Sequence, residues 1–286
     1  MTPTAVRQHH PHAGPAPRVD RCARARDWAE IQERMLVPLY EAVYERLEVG
    51  SGTRLLGLGC GSGLALLMAV SRGASVTGVH RGARERLALA RERLMPETWG
   101  TRARAAARLV DGRPQDATPA TGEPAYNLVC AFEPIGCVDG DLEGLVEQLA
   151  AAMPLAEHGS LVVLTGWGPP ERCSTSSVLR VAAKPADPER GTGNWRPARR
   201  DDLEEAARRS GLRPDGSGRV ACPFGYADLD SAVRGMLSTG FFDGALDATD
   251  QEQVDKELTE ALHPHQRADG TVWMPNVFRY LIARIP

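Results

Sequence analysis

The 286-residue chain has almost no lysine: Lys184 and Lys256 are the only two, and the rest of its 34 basic residues are arginines. Against them stand 37 acidic residues, a formal charge of −3, so the chain lacks the positive surplus that nucleic-acid and membrane-surface binders carry. Neither partner is expected. Long apolar runs are missing too, since the longest, Leu64 to Val70, falls far short of the ~18 residues that cross a bilayer. The first twenty residues show no apolar core of a signal peptide, and the expectation is a cytoplasmic protein. Six cysteines (Cys22, Cys60, Cys130, Cys137, Cys173, Cys222) form no C-x-x-C pair, which excludes a zinc knuckle and a dense disulfide framework. They read as reduced thiols, and no metal site is expected. The near-exclusive use of arginine is what a GC-rich genome produces, which lowers the weight of any single Arg.

Residues 1–26 hold four prolines and His9, His10 and His12 with little apolar content, and read as a disordered tail. From Asp27 the residues Trp28, Ile31, Met35, Leu39, Val43 and Leu47 recur at helical spacing, which predicts one amphipathic helix ending near Gly50. An apolar strand at 54–58 then leads into Gly59-Cys60-Gly61-Ser62-Gly63 and a helix over 64–71. A strand at 75–79, a helix at 83–94, strands at 126–132 and 160–165 and a helix at 141–153 extend the alternation. The pattern predicts a parallel sheet covered on both faces. Beyond Trp167 come a Pro/Gly-rich connection at 185–197, a helix near 199–210, a short strand at 219–222, helical stretches between 228 and 262, and a closing strand at 277–285. The expected division is a tail (1–26), a Rossmann-like domain (27–223 and, for its last strand, 272–286) and a helical cap inserted at 224–271.

A glycine-rich turn between a first strand and a helix brings backbone amides close to a ligand. A dinucleotide fingerprint needs G-x-G-x-x-G, and Gly57, Gly59, Gly61 and Gly63 never place a glycine at its third position. No Gly-Lys-Ser/Thr follows, so a Walker loop is excluded as well.

The run Leu55-Leu56-Gly57-Leu58-Gly59-Cys60-Gly61-Ser62-Gly63 resembles the first motif of class I S-adenosylmethionine-dependent methyltransferases, apolar-apolar-acid-apolar-Gly-x-Gly-x-Gly. The resemblance continues through Tyr126-Asn127-Leu128-Val129, Ser160-Leu161-Val162-Val163, Trp167 to Glu171, Cys222 to Asp230 and Asn276 to Tyr280, and is to a bacterial branch with small-molecule or unassigned substrates. It covers residues 28–286. It implies a doubly wound, seven-stranded Rossmann-like sheet with an N-terminal helix acting as a lid and a small helical insertion before the last strand. It also implies a cofactor site at Gly57, Gly59, Cys60, Gly61, Gly63, His80, Arg81, Arg113 and Phe132.

In that family one acid in the first motif holds the cofactor's methionine end, a second closes the second strand and accepts the ribose hydroxyls, and a third contacts the adenine. At those places this chain has Gly57, His80 and Arg113, unless Asp111 or Asp116 substitutes for the third by a small shift. S-adenosylmethionine is cationic at sulfur and ammonium, so His80, Arg81 and Arg113 move the site's charge toward an anionic ligand. Two functions are therefore carried: a methyltransferase acting on a small-molecule acceptor, or a pseudo-methyltransferase that binds an anionic ligand or a protein partner. A non-methylating enzyme on the same fold, such as a cyclase, is a third.

Glu133, just past the fourth strand, is the candidate catalytic base. Tyr40, Trp167, Tyr226 and Trp273 are the candidate walls of the acceptor pocket, aromatics making up only 5% of the chain. His263 and His265 have no acidic or Cys partner at ligand spacing and read as surface histidines.

Overall fold

The computed structural model describes residues 20–95, 106–119, 124–183 and 195–286. The expected tail up to residue 19, with its three histidines, and most of the 185–197 connection lie outside the described residues.

The N-terminal helix starts earlier than its apolar periodicity suggests. Asp20 accepts hydrogen bonds from the Cys22 and Ala23 amides and so caps α1 (Arg21–Asp27), inside the stretch expected to be a tail. The single amphipathic helix expected from Asp27 is also broken. One π turn (Trp28–Gln32) and one 3-10 turn (Glu33–Leu36) separate α1 from α2 (Val37–Arg46). Widening and then tightening the helix shifts its phase, so that polar Gln32 and Glu33 are buried together with Leu36 and Leu39.

β1 (Arg54–Leu58), α3 (Leu64–Ser71), β2 (Ser75–Val79), α4 (Arg84–Leu94), β3 (Ala107–Val110), β4 (Tyr126–Ile135), α5 (Asp141–Ala152) and β5 (Ala156–Trp167) form the alternating half. After α6 (Thr175–Leu179) and α7 (Asp202–Arg209) comes β6 (Arg213–Ala221). The cap follows as β7 (Phe224–Tyr226), α8 (Leu229–Ser238), α9 (Asp243–Ala248), α10 (Gln251–Leu262) and β8 (Val272–Met274), and β9 (Val277–Arg284) closes the chain.

Seven strands form one sheet in the order β3-β2-β1-β4-β5-β9-β6. It is mixed rather than all parallel, because β9 runs antiparallel to both β5 and β6. The cap accounts for this reversal. β6 ends where the cap begins, β7 and β8 zip the two ends of the cap into a two-stranded ribbon, and the chain re-enters the sheet at the end it left. Two apolar cores cover the faces. One packs α2, α3 and the cap around Leu55, Val163 and Phe278; the other packs α5 and α7 around Leu56, Val129 and Leu164.

The cap and the N-terminal segment are fastened together. Arg24 pairs with Asp243 at 2.5 Å, Arg234 with Asp27 at 2.9 Å, and the Tyr226 hydroxyl donates to Gln32 Oε1 at 2.9 Å. Among the described residues no helix is long and apolar enough to cross a membrane.

Candidate functional site

In an open α/β sheet the ligand crevice opens at the carboxyl ends of the strands where the strand order reverses. Here that point is between β1 and β4, and a crevice with two lobes lies there. The narrow lobe, about 30 Å³, lies between Trp28 and Tyr40 on the N-terminal segment and Gly59, Gly61 and Phe132 on the sheet side. The wide lobe, about 360 Å³, reaches past Arg81 to Gly112, Arg113 and Gln115 and is bounded by Glu147 and Gln148 of α5. Gly59, His80 and Glu133 line both.

A Cβ at Gly57 would lie 2.9 Å from Leu66 Cδ2, so a side chain there requires the buried Leu66 of α3 to shift. Negative charge reaches the loop from another element. Glu33, 3% exposed, accepts from the Ser62 amide at 3.2 Å, from the Ser62 hydroxyl, and from Arg93 of α4 at 2.7 Å. Arg93 also donates to the carbonyls of Ala29 (2.8 Å) and Ser62 (3.1 Å), tying the N-terminal segment, the glycine loop and α4 into one network. Gly61 has φ +55°, and a Cβ there would stand 2.9 Å from Glu33 Oε1 and 3.2 Å from Trp28 Nε1. Only glycine fits beneath these two side chains.

The Trp28 indole N–H is buried and has no hydrogen-bond partner among the described residues. Arg86 of α4 lies over the same ring at 4.3 Å and donates to the Ser238 carbonyl at 2.8 Å. Burial lowers its pKa, with Glu133 opposing the shift, and a guanidinium stays charged in proteins. The narrow lobe thus holds a cation, an unpartnered donor and, across the crevice, the Glu133 carboxylate, whose Oε2 stands 2.8 Å from where a Gly59 Cβ would be. Cys60 lines this lobe with a thiol that burial pushes up to about 12, and it is inert as a nucleophile. Gly63, with φ +81°, starts α3 and packs on Ala90 rather than facing the crevice.

At the ribose position of the family, His80 turns back toward the loop. Its Nδ1 accepts the Gly61 amide at 3.1 Å, which places the ring proton on Nε2 and makes the imidazole a donor toward the crevice. Burial lowers its pKa, so the neutral form is favoured. The two acids proposed as substitutes for Arg113 each make local contacts. Asp111 accepts the Gly82 amide at 3.3 Å and pairs with Arg84 at 3.5 Å, while Asp116 accepts the backbone amide of Arg113 at 2.7 Å. Both are spent on local turns.

Glu133 also borders a third cavity, about 370 Å³, walled by Ile135, Val138 and Leu145 and roofed by Thr239 to Phe241 of the cap. Its rim is held firmly. Asp141 accepts the amides of Gly136, Cys137 and Val138 and pairs with Arg196, which also pairs with Asp202 of α7 at 2.9 Å.

Of the four aromatics expected to wall an acceptor pocket, the structure brings Tyr40 to the crevice, edge-on to Phe132 at 4.8 Å. The other three are placed by packing. Trp167 is buried against Phe224 and Phe278, Tyr226 is buried on Gln32, and Trp273 sits 39% exposed on the β7–β8 ribbon with Arg267 over its ring. Glu33, Arg86 and Arg93 escaped the sequence reading. Glu33 lies off the 3–4 residue apolar spacing and is buried only because of the π turn; the two arginines were hidden in an arginine-rich helix. Among the described residues no group of three His, Cys, Asp or Glu is placed to hold a metal ion.

No family model and no curated protein matches the chain. Solved structures do. A SAM-dependent methyltransferase from Thiobacillus denitrificans in complex with S-adenosyl-L-homocysteine is similar over 94% of this chain and 99% of its own, at TM-score 0.54 and 16% identity. YjhP from E. coli is similar over 92% of this chain and 99% of its own, at TM-score 0.53 and 16% identity. The seven-stranded order with one antiparallel strand and an N-terminal helix is the class I S-adenosylmethionine-dependent methyltransferase fold.

Proposed function

We propose that the protein is an S-adenosylmethionine-dependent methyltransferase acting on a small molecule, with the amino-acid end of its cofactor in the narrow lobe and the adenosine in the wide one. The observation that carries this reading is the buried indole N–H of Trp28, unpartnered among the described residues, beside the half-buried Arg86. A donor and a cation at one wall of the crevice suit a carboxylate: Trp28 Nε1–H and Arg86 would hold the carboxylate of the cofactor's amino-acid end, leaving Glu133 free. His80 donates Nε2–H to a ribose hydroxyl, and Arg81, Gly112 and Arg113 flank the base.

When bound, S-adenosylmethionine supplies a methyl group activated on sulfur. Methyl transfer needs alignment above all, and a base where the acceptor must lose a proton. Glu133 is that base, with the acceptor in the third cavity, whose apolar walls suit a small molecule presenting one hydroxyl or amine. A lobe of about 30 Å³ admits little more than a water-sized group, so the segment from Trp28 to Leu36 moves outward to load the cofactor, which makes it the lid.

Calorimetric titration with S-adenosylmethionine and S-adenosylhomocysteine, at low and moderate salt, tests the reading. Low-micromolar binding is expected, with 5′-methylthioadenosine, which lacks the amino-acid group, at least tenfold weaker and Trp28→Phe narrowing that gap. Equal affinity for methylthioadenosine and S-adenosylhomocysteine overturns the assignment of the narrow lobe. No binding at millimolar cofactor overturns the whole reading in favour of a repurposed fold, for which Gly57, His80 and Arg113 in place of acids already speak.

A further inference from the structure

We infer that the wide lobe is built to receive a phosphate on a ribose hydroxyl, so that adenosine nucleotides phosphorylated at the 2′ or 3′ position bind there. Where a nucleotide lies across the carboxyl end of a parallel sheet, an acid at the end of the second strand accepts ribose hydroxyls, and an arginine there takes a ribose phosphate instead. In this chain His80 and Arg81 follow the end of β2, and Arg113 enters the same cavity from the turn after β3.

The side chains of His80, Arg81 and Arg113 present donors to the lobe. His80 spends its acceptor nitrogen on the Gly61 amide and presents Nε2–H. Arg84 is neutralised by Asp111, and Asp116 is turned onto backbone, whereas neither Arg81 nor Arg113 has a carboxylate within ion-pairing distance among the described residues. The two carboxylates that share the lobe, Glu133 over Gly59 and Glu147 on α5, pair with neither guanidinium. A phosphate dianion finds two guanidinium groups and the imidazole N–H along the His80, Arg81 and Arg113 edge, while the acceptors of the lobe, Glu133 and Glu147, stand on its other walls. The inference rests on the adenosine placement proposed above and is independent of methyl transfer.

The test is calorimetry of the whole chain with adenosine 2′,5′-bisphosphate, adenosine 3′,5′-bisphosphate, adenosine 5′-monophosphate and S-adenosylhomocysteine. One bisphosphate is expected to bind at least tenfold tighter than the monophosphate, with a gap that shrinks as salt is raised. Arg81→Ala combined with Arg113→Ala closes that gap, and Arg81→Lys combined with Arg113→Lys keeps part of it; both side chains are exposed, so thermal melting should show the variants folded. Equal affinity for bisphosphates and monophosphate, or a gap that survives the double alanine variant, overturns the inference. S-adenosylhomocysteine binding without a phosphate gap sinks this inference alone. A phosphate gap without S-adenosylhomocysteine binding sinks the methyltransferase reading alone.

Discussion

The two lobes of the crevice each carry a non-acidic residue where the motif that the sequence resembles has an acid, and their surroundings differ. In the narrow lobe Leu66 crowds Gly57, and Glu33 brings a carboxylate to the glycine loop from a different element, neutralised by Arg93. In the wide lobe His80 bonds the loop amide, Asp111 and Asp116 are spent on turns, and Arg81 and Arg113 face the cavity. In one lobe a carboxylate stands at the glycine loop on another element, and in the other the arginines lining the cavity are basic. A missing motif residue therefore says little until the space and the charge around its position are known.

Removing the Glu33 carboxylate breaks this comparison most directly. Glu33→Ala leaves Arg93 without its carboxylate partner and Ser62 without an acceptor, and taking one member from a buried ion pair costs about 3 kcal/mol. Denaturant unfolding should show that loss, with cofactor binding lost alongside because the glycine loop is no longer held. A variant of wild-type stability and affinity would mean that Glu33 does not hold the glycine loop.

Placing an acid at its motif position is the next largest perturbation. At Gly57 an Asp side chain meets Leu66 at once, and overpacking of this kind costs about 2 kcal/mol. Gly57→Asp is therefore expected to destabilise, and Gly57→Asp with Leu66→Ala to recover part of the loss in the same unfolding assay. If the single variant is as stable as wild type, the site has room for an acid and the packing argument fails.

Much of the fold was legible because its signals are local. The strands at 54–58 and 75–79 and the helix at 64–71 carry their apolar pattern and glycine punctuation in sequence, and they stand where expected. The reversal of β9 was not legible, because it follows from where the cap returns the chain and not from any residue in 277–284. The site divides in the same way. His80, Arg81 and Arg113 stand at the crevice, their positions being fixed by strand ends. Glu33 was invisible, since a π turn rotates it inward against the periodicity of its own helix. Trp167 and Tyr226 looked like pocket walls for the same reason that they fill the core: a large aromatic serves either purpose, and only the packing decides.

The smallest effect expected is the one that isolates His80, where the two lobes meet. Burial holds its pKa below the ordinary 6.5, Arg86 adding to the shift while Glu133 and Asp111 oppose it. As pH falls through 6.5 the unfolded chain takes up a proton that the native ring resists, so stability is full above that pH and declines below it until the native ring protonates as well. Protonation at Nδ1 turns the acceptor of the Gly61 amide into a donor, and losing that part-buried bond costs on the order of 1 kcal/mol. His265 is shifted in the same direction by burial, so His80→Asn and His265→Asn must be compared. Asparagine at position 80 still offers the Gly61 amide an acceptor but does not titrate. Unfolding curves between pH 7.5 and about 5 should flatten more for His80→Asn than for His265→Asn. An unchanged slope for His80→Asn would mean that the imidazole is not what fastens the loop, and the wide lobe would then have a ring free to accept a ribose hydroxyl after all.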